Sequence, residues 1–405
     1  MKDSLQCFQN LKGCAVVPKC ILPWISIEAT PMGTTRPCCL YTDEIPDIDL
    51  KIHALEDAFN SKTMRDLRRS FRRGEKPNGC RNCWREEAAG KKSKREYMLE
   101  KFKNLDVDYK NNEGKELVFL DLKLGNICNL KCRICGSWSS SKWPKEELDY
   151  SNDPDNHIAK TWLRAGQWPR ESKHFWTQLD TILPQVKYFE FTGGEPWMIK
   201  EHFTLLQRAV DTGLAKDIDI HYNTNTTQYP KDPTIWQHFK HVQIAFSVDN
   251  TLERFEYERY GAKWKQSNHN INKVHELRSQ GYPITTQLCT TWNIQNIYYL
   301  DEILVWADTM NFNSIHFNLM HDPWEFSLSK TPQSAIAPVM LYLQKMQVKH
   351  TKYAQDIKSL KQIVMNSKQK DATDLHKKLR RTDLYRNQNF AHSHKKIAEV
   401  LHYEL

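Results

Sequence analysis

Three cysteines, Cys128, Cys132 and Cys135, stand in the stretch GNICNLKCRICG with C-x3-C-x2-C spacing. Thiolates are soft metal ligands, so the run reads as a metal site one protein ligand short. Zinc knuckles and fingers need paired C-x2-C arms or histidines, and no second pair follows at that spacing. Ferredoxin-type clusters need a fourth local cysteine, or a distant one before proline, and neither occurs. What remains is a [4Fe–4S] cluster with three protein thiolates and one iron left open, as catalytic metal sites leave a position for substrate or cofactor.

A second group lies upstream. Cys20 and Cys38 bracket ILPWISIEATPMGTTRP, with Gly33 as the turn glycine, and Cys80 and Cys83 form a C-x2-C pair in NGCRNCWREEAAG. Brought together, these four thiolates suit either structural zinc or a fully ligated [4Fe–4S] cluster. Cys38 fits the spacing better than its neighbour Cys39. Ten of the eleven cysteines precede residue 136, a clustering that points to metal rather than to disulfides. Cys7 and Cys14 take no role and read as free thiols. Cys289, alone inside an apolar run, reads as a small buried hydrophobe.

The elements that must position these residues follow from periodicity. Short apolar runs at 116–124, 186–192, 217–224, 241–248, 283–291 and 314–320 alternate with helical patterns such as KEHFTLLQRAVDTGL. Six strand-then-helix repeats predict a parallel sheet with crossover helices, a partial (β/α)6 TIM-type barrel. The three-cysteine loop follows its first strand, at the sheet edge where loops carry chemistry. The second strand, YFEF, runs into Gly193-Gly194-Glu195-Pro196. Two glycines there allow close backbone approach to a ligand, and the carboxylate can accept from an ammonium group. Residues 1–95 form a small cysteine-rich unit, 96–115 a helical connector, 116–325 the barrel and 326–405 a C-terminal helical extension. ILPWISIEA (21–29) alternates like a strand. The helix around 59–76 puts Met64, Leu67 and Phe71 on one face and its arginines outward. The tryptophans near the cysteine loop (Trp138, Trp143, Trp162, Trp168) read as packing of an inserted helical region.

The C-x3-C-x2-C loop after a first βα strand, with apolar Ile134 before the last cysteine, resembles the radical S-adenosylmethionine (SAM) superfamily. The Gly-Gly-Glu loop after the second strand matches the same family's GGE motif. The resemblance implies that SAM chelates the open iron, that an electron from the cluster cleaves its sulfonium, and that a 5′-deoxyadenosyl radical results. It assigns the SAM amino group to Gly193, Gly194 and Glu195. Asn225 matches the polar residue of the family's TNG segment, where Thr226 replaces the glycine. Ser247 and Asp249 resemble an S-x-D on the SAM ribose and methionine side, and Arg259 resembles the arginine that pairs with the SAM carboxylate.

The upstream C-x12-G-x4-C and C-x2-C pairs resemble the SPASM and twitch auxiliary-cluster domains of these enzymes. Only four cysteines are available, so the resemblance implies a twitch-like domain with a single auxiliary [4Fe–4S] cluster held by Cys20, Cys38, Cys80 and Cys83. It precedes the barrel here, whereas most such domains follow it. The function implied is hydrogen abstraction from a substrate, a peptide or protein side chain foremost, with SAM as cofactor, two clusters, and an external reductant such as flavodoxin or ferredoxin. The auxiliary cluster would transfer electrons.

The remaining composition bounds this reading. At 405 residues with 40% hydrophobic and 26% charged residues, the chain has the balance of a globular protein with a sizeable core. No run of about 18 apolar residues predicts a membrane span, and the first residues lack a secretory apolar stretch, so a cytoplasmic protein is expected. The net charge of +9 is that of an ordinary solvated surface. A basic helix around Arg68–Arg73 beside two cysteine groups leaves one alternative, a non-catalytic zinc- or cluster-stabilised nucleic-acid-binding protein, which would bind polyanions with steep salt dependence.

Overall fold

The computed structural model describes residues 20–151, 157–163 and 165–404; Cys7 and Cys14 lie outside them. Its centre is one sheet of eight strands: β1 (Ser26–Ala29), β2 (Thr35–Arg36), β3 (Phe119–Leu122), β5 (Tyr188–Phe191), β6 (Asp219–Thr224), β7 (His241–Ser247), β9 (Ile284–Trp292) and β10 (Ser314–Leu319). They lie side by side as β10-β9-β7-β6-β5-β3-β1-β2, all parallel except β2. The six strands from β3 to β10 coincide with the six apolar runs and form the partial barrel. Two short strands, β4 (Lys131–Cys132) and β8 (Arg259–Tyr260), pair antiparallel outside this sheet.

β1 comes from the cysteine-rich N-terminal segment, yet it pairs in parallel with β3, matching Glu28 with Asp121. The N-terminal unit therefore extends the barrel's own sheet. The alternation expected over 21–29 holds only in part, because Leu22–Ile25 form a helical turn before the strand begins.

Side chains alternate across a strand, so the register sorts them into two faces. Ile27, Leu120, Phe189, Ile220 and Val242 are fully buried in the main core. On the other face the ladder aligns Glu28, Asp121, Glu190, His221 and Gln243 in one polar row. Three carboxylates in this row face three cations. Arg36 bonds Glu28 at 3.0 Å, Lys123 also pairs with Glu28, and Lys94 reaches both Glu190 oxygens at 2.9 Å. Balanced pairing is what permits charge at this depth.

The helix Lys62–Arg72 starts on a Ser61 cap and buries Met64, Leu67 and Phe71, as its pattern predicts. Its arginines do not all face outward. Arg68 is completely buried and donates to the carbonyls of Pro23 and Phe59 at 2.7 Å and of Asn112 at 2.8 Å. It satisfies backbone acceptors that would otherwise be stranded in the core. Downstream of the barrel strands the chain continues through the helices Gln333–Lys349, Ala354–Met365, Thr373–Arg386 and Lys395–Val400. Among the described residues no helix is long and apolar enough to cross a membrane.

Candidate metal centres

The three-cysteine loop leaves the end of β3 and folds back on itself. Asn126 donates to the Ser137 carbonyl at 2.9 Å, closing the loop across all three cysteines, and the Cys135 amide donates to Cys132 O at 3.0 Å. Cys128 and Cys132 are buried and Cys135 is half-buried. The Leu130 amide and the Asn225 side chain both donate toward Cys128 Sγ at 3.5 Å. Burial, and next the neighbouring Cys132, push the Cys128 thiol up to about 12. The Cys135 thiol donates to Cys132 and lowers its pKa, and Arg259 assists. Three sulfurs gathered in one loop, with the Leu130 amide and the Asn225 side chain aimed at one of them, could hold a metal ion or cluster.

The Gly-Gly-Glu turn lies directly on this loop. Gly193 and Gly194 take φ of +78° and +60°, and a Cβ on Gly194 would stand 2.4 Å from Ile127 O. The Gly194 amide donates to Ser139 O at 3.1 Å and the Glu195 amide to Ile127 O at 2.7 Å. The fully buried Glu195 carboxylate accepts from the Asn225 amide at 2.7 Å, Thr224 Oγ1 at 2.9 Å and the Trp197 amide at 3.3 Å. It therefore ties the end of β6 to the end of β5. Thr226, where the resembled family has glycine, adopts φ of +70°, so the left-handed turn persists without the glycine.

The third group converges from β7 and β8. Ser247 ends β7 opposite Cys289, and both are half-buried. Asp249 is buried, accepts from the Thr291 amide at 2.8 Å and pairs with Arg259 at 2.5 Å. Arg259 faces Cys132 across the β4–β8 pair, with Nη1 3.9 Å from Cys132 Sγ and a buried Nε that has no hydrogen-bond partner among the described residues. Sequence reasoning named the cysteines, Glu195, Asn225, Asp249 and Arg259, and the structure draws them into one connected network.

Sequence reasoning missed the clamp behind this network. Arg386 is buried, donates to Lys131 O at 2.8 Å and pairs with the buried Glu146 at 3.0 Å. Arg133, also buried, pairs with Asp383, which accepts from Tyr257 Oη at 2.7 Å. His394 meets Glu258 at 2.9 Å. Lys131, Cys132 and Arg133 are thus held by residues some 250 positions away. No local spacing signals such pairs.

The upstream cysteines also converge. Burial raises the Cys20 thiol well above its ordinary pKa, and Cys38, Cys80 and Cys83 add to the rise as near neighbours. Cys39 turns the other way, into the polar row, where Lys94 Nζ lies 2.9 Å from its sulfur. Cys38 is therefore the member of the adjacent pair that faces the other three. Cys39, Asp121 and Glu190 are the one group of three metal-ligand atoms within 4.8 Å of one another among the described residues. The Lys94 ammonium already sits among them. Trp143 and Trp168 are buried as expected of packing residues, whereas Trp138 is 38% exposed.

Residues 20–84 match the SPASM family, described as an iron-sulfur cluster-binding domain. No curated protein matches the chain. Among solved structures it is similar to polyhistidine-tagged anSMEcpe with bound AdoMet, at 16% identity and TM-score 0.39, over 60% of each chain. It is also similar to SuiB of Streptococcus suis bound to S-adenosylmethionine, at 12% identity and TM-score 0.35, over 81% of this chain and 69% of that one. The chain thus spans about 60% of the length of anSMEcpe. It is a partial-barrel protein whose cysteine-bearing N-terminal segment, 20–84, is similar to the SPASM iron–sulfur cluster-binding domains.

Proposed function

We propose that this chain is a radical SAM enzyme with two [4Fe–4S] clusters. The observation that carries the reading is the convergence of Cys128, Cys132 and Cys135 with Glu195, Asn225, Asp249 and Arg259 at the ends of β3, β5, β6 and β7 and on the β4–β8 pair. A loop built only to hold zinc has no use for that second set. When bound, the three-cysteine cluster supplies the electron that cleaves SAM.

This chain's own residues do the positioning. The Leu130 amide and the Asn225 side chain stabilise the Cys128 thiolate. Asp249 holds the Arg259 guanidinium beside Cys132, where its positive charge would attract a carboxylate such as that of SAM. Gly193, Gly194 and Glu195 set the backbone against the cysteine loop, on the side assigned to the SAM amino group. Ser247, the last residue of β7, is assigned to the ribose side. Substrate would enter against the polar row of the sheet, whose paired charges favour a polar group such as a peptide side chain over an apolar one.

Cys20, Cys38, Cys80 and Cys83 would hold the auxiliary cluster. Burial of Arg68 removes one charge from the basic helix on which a nucleic-acid-binding reading depends.

The test is iron and sulfide content after anaerobic reconstitution, compared between the wild type and a variant carrying alanine at Cys128, Cys132 and Cys135. About eight irons falling to about four is expected. SAM cleavage to 5′-deoxyadenosine should be present in the first and absent in the second. No iron in either protein would sink the reading.

A further inference from the structure

The reading above requires an external electron, and the cysteine loop reaches the surface on one side. Half-buried Cys135 lines a cavity of about 220 Å³ with Trp138, Trp143, Tyr150, Lys378 and Arg381. The helix Thr373–Arg386 forms one wall. Its inner side carries Arg386, whose guanidinium lies 4.8 Å over the Trp143 ring, and the Trp143 indole donates to Cys132 O at 3.2 Å.

The outer side of the same helix is basic and partly apolar. Lys377, Arg380 and Arg381 are exposed, Leu384 is 85% exposed and Tyr385 41%. Exposed Lys142 and Lys145 continue the patch, joined to it where Tyr385 Oη donates to Asp149 at 2.5 Å and Arg381 lies 4.4 Å over the Tyr150 ring. Five exposed cations thus stand with three exposed carboxylates, Asp149, Asp374 and Glu404; Lys145 pairs with Asp149 at 3.1 Å and Arg380 donates to the Glu404 backbone carbonyl at 2.9 Å. A positive surface rimming an exposed large apolar side chain fits an acidic protein partner, steered by charge and anchored by Leu384.

We propose that this face, Lys377, Arg380, Arg381, Leu384 and Tyr385 with Lys142 and Lys145, docks a small acidic one-electron carrier protein that reduces the three-cysteine cluster. The proposal rests on the radical SAM reading. One electron leaves the reduced carrier, which is oxidised by one, and the iron–sulfur centre is reduced by one. No bond is made or broken and no proton moves. The other basic surface, Arg69, Arg72 and Arg73, lies on a helix whose inner residues Leu67 and Phe71 pack in the N-terminal core, away from the cysteine loop. It serves as the control.

The experiment uses the full reconstituted chain and two electron sources, a prereduced acidic flavodoxin and dithionite. The readout is the rate at which the reduced-cluster EPR signal that shifts on adding SAM grows in. In K377E/R380E/R381E the flavodoxin rate should fall about tenfold or more at low salt, with the deficit narrowing as salt rises. The dithionite rate should match wild type, which also shows that the variant folds and holds its cluster. R69E/R72E/R73E should keep the wild-type rate with both. An unchanged flavodoxin rate in the first variant, an equal fall in the second, or a salt-independent wild-type rate would each overturn the proposal. No such signal from dithionite in the wild type would instead remove the radical SAM reading, and this proposal with it.

Discussion

Gly194 shows how one missing carbon decides the site. Any Cβ there meets Ile127 O at 2.4 Å, a backbone atom of the cysteine loop that cannot swing aside. Gly194→Ala should therefore cost about 1–3 kcal/mol of stability and displace the loop. The expected outcome is a lower Tm, and a reconstituted iron content reduced by the share bound at Cys128, Cys132 and Cys135. Unchanged iron would mean that the turn does not brace the cysteines. Thr226 is the counterexample at the same scale. It reaches the left-handed region without being glycine, and Asn270 donates to its carbonyl at 2.9 Å, holding the strained turn. Threonine therefore holds a left-handed turn here without glycine's freedom.

At the scale of elements, the helix Lys200–Asp211 follows the Gly-Gly-Glu turn and backs it with an aromatic layer. Its His202 is buried, meets Tyr222 Oη at 2.8 Å and packs against Phe191 with ring centroids 4.5 Å apart. Burial drives its pKa down to about 3, so the folded protein holds the imidazole neutral. The unfolded chain then binds more protons between about pH 6.5 and 3, and the stability this residue contributes is present above that window and lost as pH falls through it. The loss is on the order of 4–5 kcal/mol at the acid end. His202→Gln can keep the bond to Tyr222 and should flatten Tm against pH between 6.5 and 4. A parallel acid-side loss in the variant would place the sensitivity elsewhere.

For the whole molecule, the C-terminal helices are part of the centre they pack behind. Arg386, Asp383 and His394 satisfy Lys131, Arg133 and Glu258 in the buried network around the cysteine loop. Removing one partner of a buried ion pair leaves an uncompensated charge, at a cost of about 3–5 kcal/mol. A chain ending at residue 366 loses several at once. It should fail to retain iron at Cys128, Cys132 and Cys135, and its barrel should unfold at lower denaturant than the full chain. A truncated protein with full iron and unchanged stability would reduce the extension to an appendage. At the other end, β1 inserts the four-cysteine segment into the barrel's own sheet, so both candidate centres share one rigid frame.

Read alone, the residues determined the barrel strands and marked the cysteine loop as a candidate metal site. Period-two apolar runs are local, and so is the C-x3-C-x2-C spacing after a strand. They also separated Cys38 from Cys39 by spacing, and in the turn after β2 Cys39 lies beside Lys94 while Cys38 neighbours Cys20, Cys80 and Cys83. Only tertiary structure decided that Arg68 is inside. Its helical position allows a solvated face, and the carbonyls it satisfies come from Pro23, Phe59 and Asn112. Only tertiary structure placed β1 in the barrel and Arg386 behind Cys132, since pairing between distant segments depends on which surfaces fit once the core has formed, and no local pattern encodes that fit.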